Sequence, residues 1–266
     1  MESLETELER ARALDVEELA DAIESIGFEC TRCGACCKSE AEDPHTATVF
    51  PDEVRELQES GEYDYDSRSD TAASGSHSPD SWDWRDVARP MPYGLQEGPD
   101  GPEGETFEWA LATDSCGDCT FYEERDGVGA CTVHEDRPLI CRTYPFSVVL
   151  SGGAEVGQPM GEAVDSVALE TQRAAGEAGD HEEAVRAHEC EGLGREIARE
   201  DAEELARTLK ERAVRELEEA IGVRENYRSV ERAPGEVVVH DSEGPKTGDG
   251  TSLPGADTSI TRDAED

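Results

Sequence analysis

The sequence predicts an α+β protein in which helix dominates, with a small, irregular, metal-organised core. Three observations point there. Apolar residues recur at helical spacing over several stretches, strand-like runs are few and short, and the nine cysteines fall in clusters. The expected frame is a set of flanking helices, a few short strands and an acidic, disordered tail. Residues 1–227 read as one cysteine-cluster domain with an irregular insertion at about 62–105, and residues 228–266 read as the tail.

The elements follow in order. Leu4, Leu8 and Ala11 share one helical face. A second helix starts at Asp15, an N-cap residue with Glu18 three positions on. Leu19, Ala22, Ile23 and Ile26 continue its apolar stripe and Gly27 stops it. Pro51 to Gly61 reads as a short helix, with proline at the first position and Val54 and Leu57 on one face. From Glu62 to about Glu105 the composition turns to Ser, Asp, Gly and Pro, which predicts an irregular insertion. Trp82 and Trp84 within it are expected to pack onto the body, or else to mark a contact surface. Thr106–Thr113 and Phe146–Leu150 read as short strands. Helices are expected over Ala163–Ala175 and Asp180–Glu189. The strongest helix is Arg199–Ile221, whose apolar residues lie three or four apart, with Gly222 as its stop. Beyond Tyr227 the chain is rich in Gly, Ser, Asp and Glu, and only Glu236–His240 resembles a strand.

The charge narrows the function classes. The 266 residues carry a formal net charge of −41, and Lys38, Lys210 and Lys246 are the only lysines. A nucleic-acid surface needs clustered Lys and Arg to meet phosphates, so nucleic acid is excluded as a partner, and an anionic membrane surface with it. Acidic residues are spread through well-patterned helices, which reads as the solvated surface of an extreme halophile's protein. In molar salt the screening length falls to roughly 3 Å and self-repulsion is damped. The start, Met1–Arg10, is acidic and has no apolar run, so no secretory signal is expected and the chain reads as cytoplasmic. Thiols stay reduced there, so clustered cysteines read as metal ligands or redox groups before disulfides.

The first cysteine group is Cys30-x2-Cys33-x2-Cys36-Cys37. A two-residue gap lets two thiolates face one metal, and three cysteines at successive gaps match the run that wraps a cuboidal iron–sulfur cluster. Zinc sites more often use one such pair and a distant second pair. Adjacent side chains diverge, so Cys36 and Cys37 are expected to serve two centres or one cluster and its surroundings. The second group is Cys116-x2-Cys119-x11-Cys131-x9-Cys141, followed by a lone Cys190. Arg137 and Arg142 flank thiolates in a chain poor in positive charge, which suits them to offset the anionic charge of a thiolate-bound metal. His134 and His188 lie near cysteines and are candidate ligands. His45, His77, His181 and His240 read as loop or solvent residues.

The run Phe28-Glu-Cys30-Thr-Arg-Cys33-Gly-Ala-Cys36-Cys37 is followed by Cys119-Thr-Phe-Tyr. Next comes Cys131-Thr-Val-His134-Glu-Asp-Arg137-Pro138-Leu-Ile-Cys141-Arg142, and then Cys190-Glu-Gly192-Leu-Gly194. Together these resemble the YkgJ-type CxxCxxCC cysteine-cluster family, a zinc- or iron-chelating domain often described as an iron–sulfur protein. The resemblance implies eight metal ligands: Cys30, Cys33, Cys36, Cys37, Cys119, Cys131, Cys141 and Cys190. Cys116, His134 and the long insertion fall outside the family's pattern. The first expectation is an iron–sulfur protein, of the four-iron type, with a redox or electron-transfer role and a protein partner of unknown identity. Alternatives are a structural zinc module for interactions and, by likeness to flagellin lysine N-methylase, a protein-modifying enzyme.

Overall fold

The structure is a computed structural model and describes residues 3–39, 45–60, 82–99, 101–150, 155–156, 162–169 and 184–254. Helix α1 (Leu4–Ala13) begins where the Ser3 hydroxyl accepts the Thr6 amide. Helix α2 (Val16–Ile26) begins at Asp15, whose carboxylate accepts the amides of Glu17 and Glu18 at 2.8 and 3.1 Å. Leu19, Ala22, Ile23 and Ile26 all turn inward, as their spacing requires. After the first cysteine run come β1 (Thr48–Val49) and α3 (Pro51–Ser60). Then follow α4 (Trp84–Val87), β2 (Ala88–Pro90), β3 (Leu95–Gly98), β4 (Gly101–Thr106) and β5 (Trp109–Leu111). The hairpin of β6 (Tyr122–Arg125) and β7 (Val128–Cys131) leads to α5 (Leu139–Thr143). The rest is β8 (Phe146–Val149), β9 (Glu155–Val156), β10 (Ala163–Ala168), β11 (Ala184–His188), the long α6 (Arg199–Asn226), β12 (Val237–Asp241) and β13 (Gly244–Thr247).

Two apolar cores result. In the first, α1, α2 and α6 pack on a sheet of order β10-β11-β8-β9, with Leu19, Ile23, Phe146, Val185 and Leu209 at its centre. Ala202, Ala206 and Ala213 face inward from α6, and their small side chains let α1 and α2 approach closely. In the second, α3 and α4 pack with the sheet β1-β5-β2 around Val54, Leu57, Trp109 and Phe121. Trp84 meets Trp109 edge-on at 5.0 Å and Trp82 meets Phe121 at 5.1 Å, so both tryptophans of this region pack onto the body. Among the described residues no helix is long and apolar enough to cross a membrane.

Helix does not dominate: 35% of the described residues are helical and 28% are strand, in four small sheets. Three sequence expectations account for the difference. The helix expected at Ala163–Ala175 is strand over Ala163–Ala168, and the one expected at Asp180–Glu189 is strand over Ala184–His188; residues 170–183 lie outside the described residues. Alanine favours helix locally, but Val185 and Ala187 are buried between β8 and β10, and tertiary pairing overrides that preference. Within the supposedly irregular insertion, residues 82–99 and 101–105 carry α4, β2, β3 and most of β4; residues 61–81 and 100 lie outside the described residues. The tail, expected to be disordered, contributes β12 and β13 to a sheet of order β13-β12-β4-β3, with β12 parallel to β4; residues 255–266 lie outside the described residues. That hairpin is held from inside. Asp241 is buried and accepts Trp109 Nε1 at 2.9 Å and Lys246 Nζ at 2.6 Å.

Helix α6 also runs past Gly222 to Asn226. The glycine is needed for a close approach and does not act as a stop. A Cβ there would lie 2.6 Å from the Cβ of Ser242. Ser242 cannot retreat, because its amide donates to Glu219 and its carbonyl accepts from Asn226. Overpacking costs about 1–3 kcal/mol, and alanine regains about 1 kcal/mol of helix propensity. Gly222→Ala is therefore expected to destabilise the protein by about 1 kcal/mol, read as a lower urea midpoint. A raised midpoint would show that the hairpin gives way freely.

Candidate metal centre

Helix α2 ends at Gly27, with φ 78°, and releases the chain toward Cys30. Here the chain is clamped to the Cys190 turn. Phe28 bridges Leu193, the Glu29 amide donates to the Gly192 carbonyl at 3.0 Å, and the Gly194 amide donates to the Gly27 carbonyl at 3.0 Å. Gly192 must be glycine, since a Cβ would lie 2.4 Å from the Glu29 carbonyl oxygen. The loop then bends through Arg32, with φ 57°, and Gly34, with φ 77°, into a 3-10 turn over Ala35–Cys37. The Arg32 carbonyl accepts the Gly129 amide at 2.9 Å, which seats the loop on the β6–β7 hairpin. The Cys37 carbonyl accepts the Cys119 amide at 2.8 Å, which joins the two cysteine groups.

Cys141 arrives on α5, whose start is fixed from α3. The buried Glu53 carboxylate accepts the Phe50 amide at 3.0 Å and the Leu139 amide at 2.8 Å. The end of α5 is fixed from α6, where buried Arg212 donates to the Thr143 hydroxyl at 2.8 Å and pairs with Glu216. Cys131 closes β7 opposite Tyr122.

All eight cysteines implied by the resemblance line one cleft. Cys116 does not; it is exposed, in a turn whose amide donates to Asp114 at 2.7 Å. Four of the eight act on one another electrically. Desolvation first, and then Cys119, Cys131 and Cys36, push the Cys141 thiol well above its ordinary range. Burial pushes Cys119 up to about 12, with Cys131 and Cys36 adding to it. Burial raises Cys131, and Cys36 adds to it. Cys36 is raised chiefly by the neighbouring Cys37 thiol. Cys36 thus adds to the rise of Cys119, Cys131 and Cys141, which sets these four apart as a quartet. Cys190 is raised by burial and then by Cys33, Cys36 and Cys30, which marks a second group touching the first at Cys36.

Contrary to the expectation that neighbouring side chains diverge, Cys36 Sγ and Cys37 Sγ lie 3.8 Å apart. Two thiolates about 2.3 Å from one tetrahedral ion would be separated by about 3.8 Å. Among the described residues, no group of three or more Cys, His, Asp or Glu side chains stands arranged to hold a single ion. The donors are sulfur-rich and gathered in one cleft, which suits a thiolate-bound metal.

The positive charge falls unevenly. Arg137 opposes the rise of Cys36, Cys131 and Cys141 and donates Nε to the His134 carbonyl at 3.0 Å. Arg142 lines the cleft and reaches the Thr208 hydroxyl of α6 at 3.5 Å. His134 stands half-exposed beside Glu135, and His188 is buried against Ser147 at 3.0 Å. His45, expected from the sequence to be a loop or solvent residue, is instead buried in the cleft with Nε2 3.1 Å from the Cys36 carbonyl oxygen. No spacing rule marks a histidine nine residues beyond Cys36.

The raised thiols have a measurable consequence. A raised thiol pKa means the proton is retained at neutral pH, so each thiolate formed on metal binding releases one. Metal uptake is expected to release about four protons per four-thiolate centre, and apparent affinity is expected to climb steeply from pH 6 to 8. Calorimetry in buffers of different ionisation enthalpy measures the release, and pH-independent uptake would mean the thiols are already ionised.

No curated protein and no solved structure matches the chain. The profile of the CxxCxxCC family, described as "Putative zinc- or iron-chelating domain", matches residues 29–191, more than half of the sequence and the whole span from the first cysteine run to the Cys190 turn. The chain belongs to the CxxCxxCC family of zinc- or iron-chelating domains.

Proposed function

We propose that the protein holds a four-iron iron–sulfur cluster on Cys36, Cys119, Cys131 and Cys141 and serves in electron transfer. A second thiolate group, Cys30, Cys33, Cys37 and Cys190, lies beside it. The observation that carries this reading is the gathering of these four cysteines in one cleft, with the Cys119 amide bonded to the Cys37 carbonyl, while no three donors among the described residues stand arranged around a single ion. A cuboidal cluster takes one thiolate on each iron and so needs its sulfurs gathered but apart, whereas one zinc ion draws all four together. When bound, the cluster supplies one-electron redox chemistry. The chain's residues place the sulfurs, and Arg137 offsets part of their anionic charge.

The 3.8 Å separation of Cys36 and Cys37 favours a second reading, a structural zinc ion at that turn. Zinc would then contribute folding energy directly, and chelation would unfold the domain. Anaerobic purification in high salt, with a visible spectrum and elemental analysis of the same sample, separates the two. A broad charge-transfer band with stoichiometric iron and sulfide supports the cluster. Zinc with a featureless spectrum replaces it by the second reading.

Substitutions test the ligand assignment. Cys141→Ser and Cys33→Ser are expected to lose metal and stability together, while Cys116→Ser keeps both. Metal loss in Cys116→Ser equal to that in Cys33→Ser would overturn the assignment.

A further inference from the structure

Among the described residues five large apolar side chains stand exposed, and three of them are aromatic and share one face. Tyr93 is 69% exposed, Phe107 49% and Tyr227 47%. The Phe107 and Tyr227 ring centres lie 6.1 Å apart, and Tyr93 and Phe107 both line the cysteine cleft. Each ring is set by regular structure. Phe107 follows β4 and Tyr227 ends α6, and both rest on His240 of β12, at 5.4 and 4.7 Å between ring centres. His240, expected from the sequence to be a loop or solvent residue, is fully buried beneath them. The Tyr93 turn is pressed onto the same strand. The Met91 amide donates to the Glu108 carbonyl at 3.0 Å, and a Cβ at Gly94 would lie 2.8 Å from the Glu105 carbonyl oxygen.

The setting is negative. Glu108, next to Phe107, makes no ion pair among the described residues. Burial first, and then Glu216 and Glu219 of α6, push its carboxyl up. Aromatic faces beside an unpaired carboxylate attract a cation, arginine above all, because its planar guanidinium stacks on a ring. A small-ligand pocket encloses its ligand, whereas rings half open to solvent are covered by a larger surface. A second copy of this chain is opposed by the formal charge of −41 on each. We propose that Tyr93, Phe107 and Tyr227 form a docking surface for a basic protein partner, whose arginine side chains stack on the rings beside Glu108. The surface does not depend on which metal the thiols hold, and a partner seated there stands beside the cysteine cleft.

The test is fluorescence anisotropy of the full chain with a labelled glycine–serine peptide carrying four arginines, and with its glutamate counterpart. Salt is kept near physiological, where attraction is screened beyond about 8 Å. The arginine peptide alone is expected to bind the wild type, and the double variant Phe107→Ser, Tyr227→Ser to bind it about tenfold more weakly. Val128→Ser and Val164→Ser remove the other two exposed side chains and are expected to bind as the wild type does. Tyr93→Ser is expected to weaken binding about threefold. Tyr93 is the most open of the three rings, so this variant reports even if the double variant does not fold. No binding by the wild type overturns the proposal. Equal affinity in the aromatic and valine variants overturns it too, because net charge alone would then hold the peptide. Wild-type dimers in sedimentation that the double variant does not form would assign the surface to a second copy instead.

Discussion

Separate stretches of chain deliver thiols to one cleft, and main-chain hydrogen bonds seat the Cys119, Cys131 and Cys190 segments against the first cysteine loop. The Cys37 carbonyl receives the Cys119 amide, the Arg32 carbonyl receives the Gly129 amide, and the Gly192 carbonyl receives the Glu29 amide. Each bond joins a segment that carries cysteine to the loop that carries the first four. Main-chain bonds suit this task because they fix the backbone and leave the sulfur free. The two apolar cores then act as walls, one behind α2 and α6, the other behind Trp109 and Phe121. Cys131 and Cys141 pack against the second wall, so the low-polarity surroundings that raise these two thiols come from the same residues that stabilise the fold.

The placement of positive charge follows from its scarcity. Many arginines form solvent-facing pairs, such as Arg12 with Glu218 and Arg55 with Glu243, and pairs of that kind contribute little individually. Arg212 differs: it is buried and ties α5 to α6 beneath Cys141. Arg137 differs again, because its charge opposes the rise of three of the quartet's thiols. In so acidic a chain, one guanidinium directed at the sulfurs has few rivals for the role of counter-charge.

How much of this was legible in the sequence depends on the range of the forces involved. Helices α1, α2 and α3 were readable because caps and the 3.6-residue period are local properties. The cysteine spacing was readable for the same reason, since a two-residue gap fixes a local turn. Strands β10 and β11 were not, because alanine-rich sequence favours helix until β8 supplies a pairing edge. The strand at Val237–Asp241 was suspected, but the tail around it was taken for disorder; its order comes from Trp109 and Asp241, 132 positions apart. Gly222 was misread as a stop because the hairpin that crowds it lies beyond the helix. His45 was taken for a loop or solvent residue because its burial has no local signal and comes from the packing of Arg89 and Cys36 around it.

The three lysines have an unequal fate that matters at the bench. Lys246 is buried between Asp241 and Glu243, and the Lys210 ammonium is tied to the Leu14 carbonyl. Lys38, one position past Cys37, keeps 39% of its side chain open beside Glu124 and lies 5.1 Å from the centre of the Tyr122 ring. Among the lysines, an amine-directed fluorophore or cross-linker would therefore concentrate at the lip of the cysteine loop. One covalent label would serve as a local optical reporter of events in the cleft, without the loss of any thiol to maleimide chemistry.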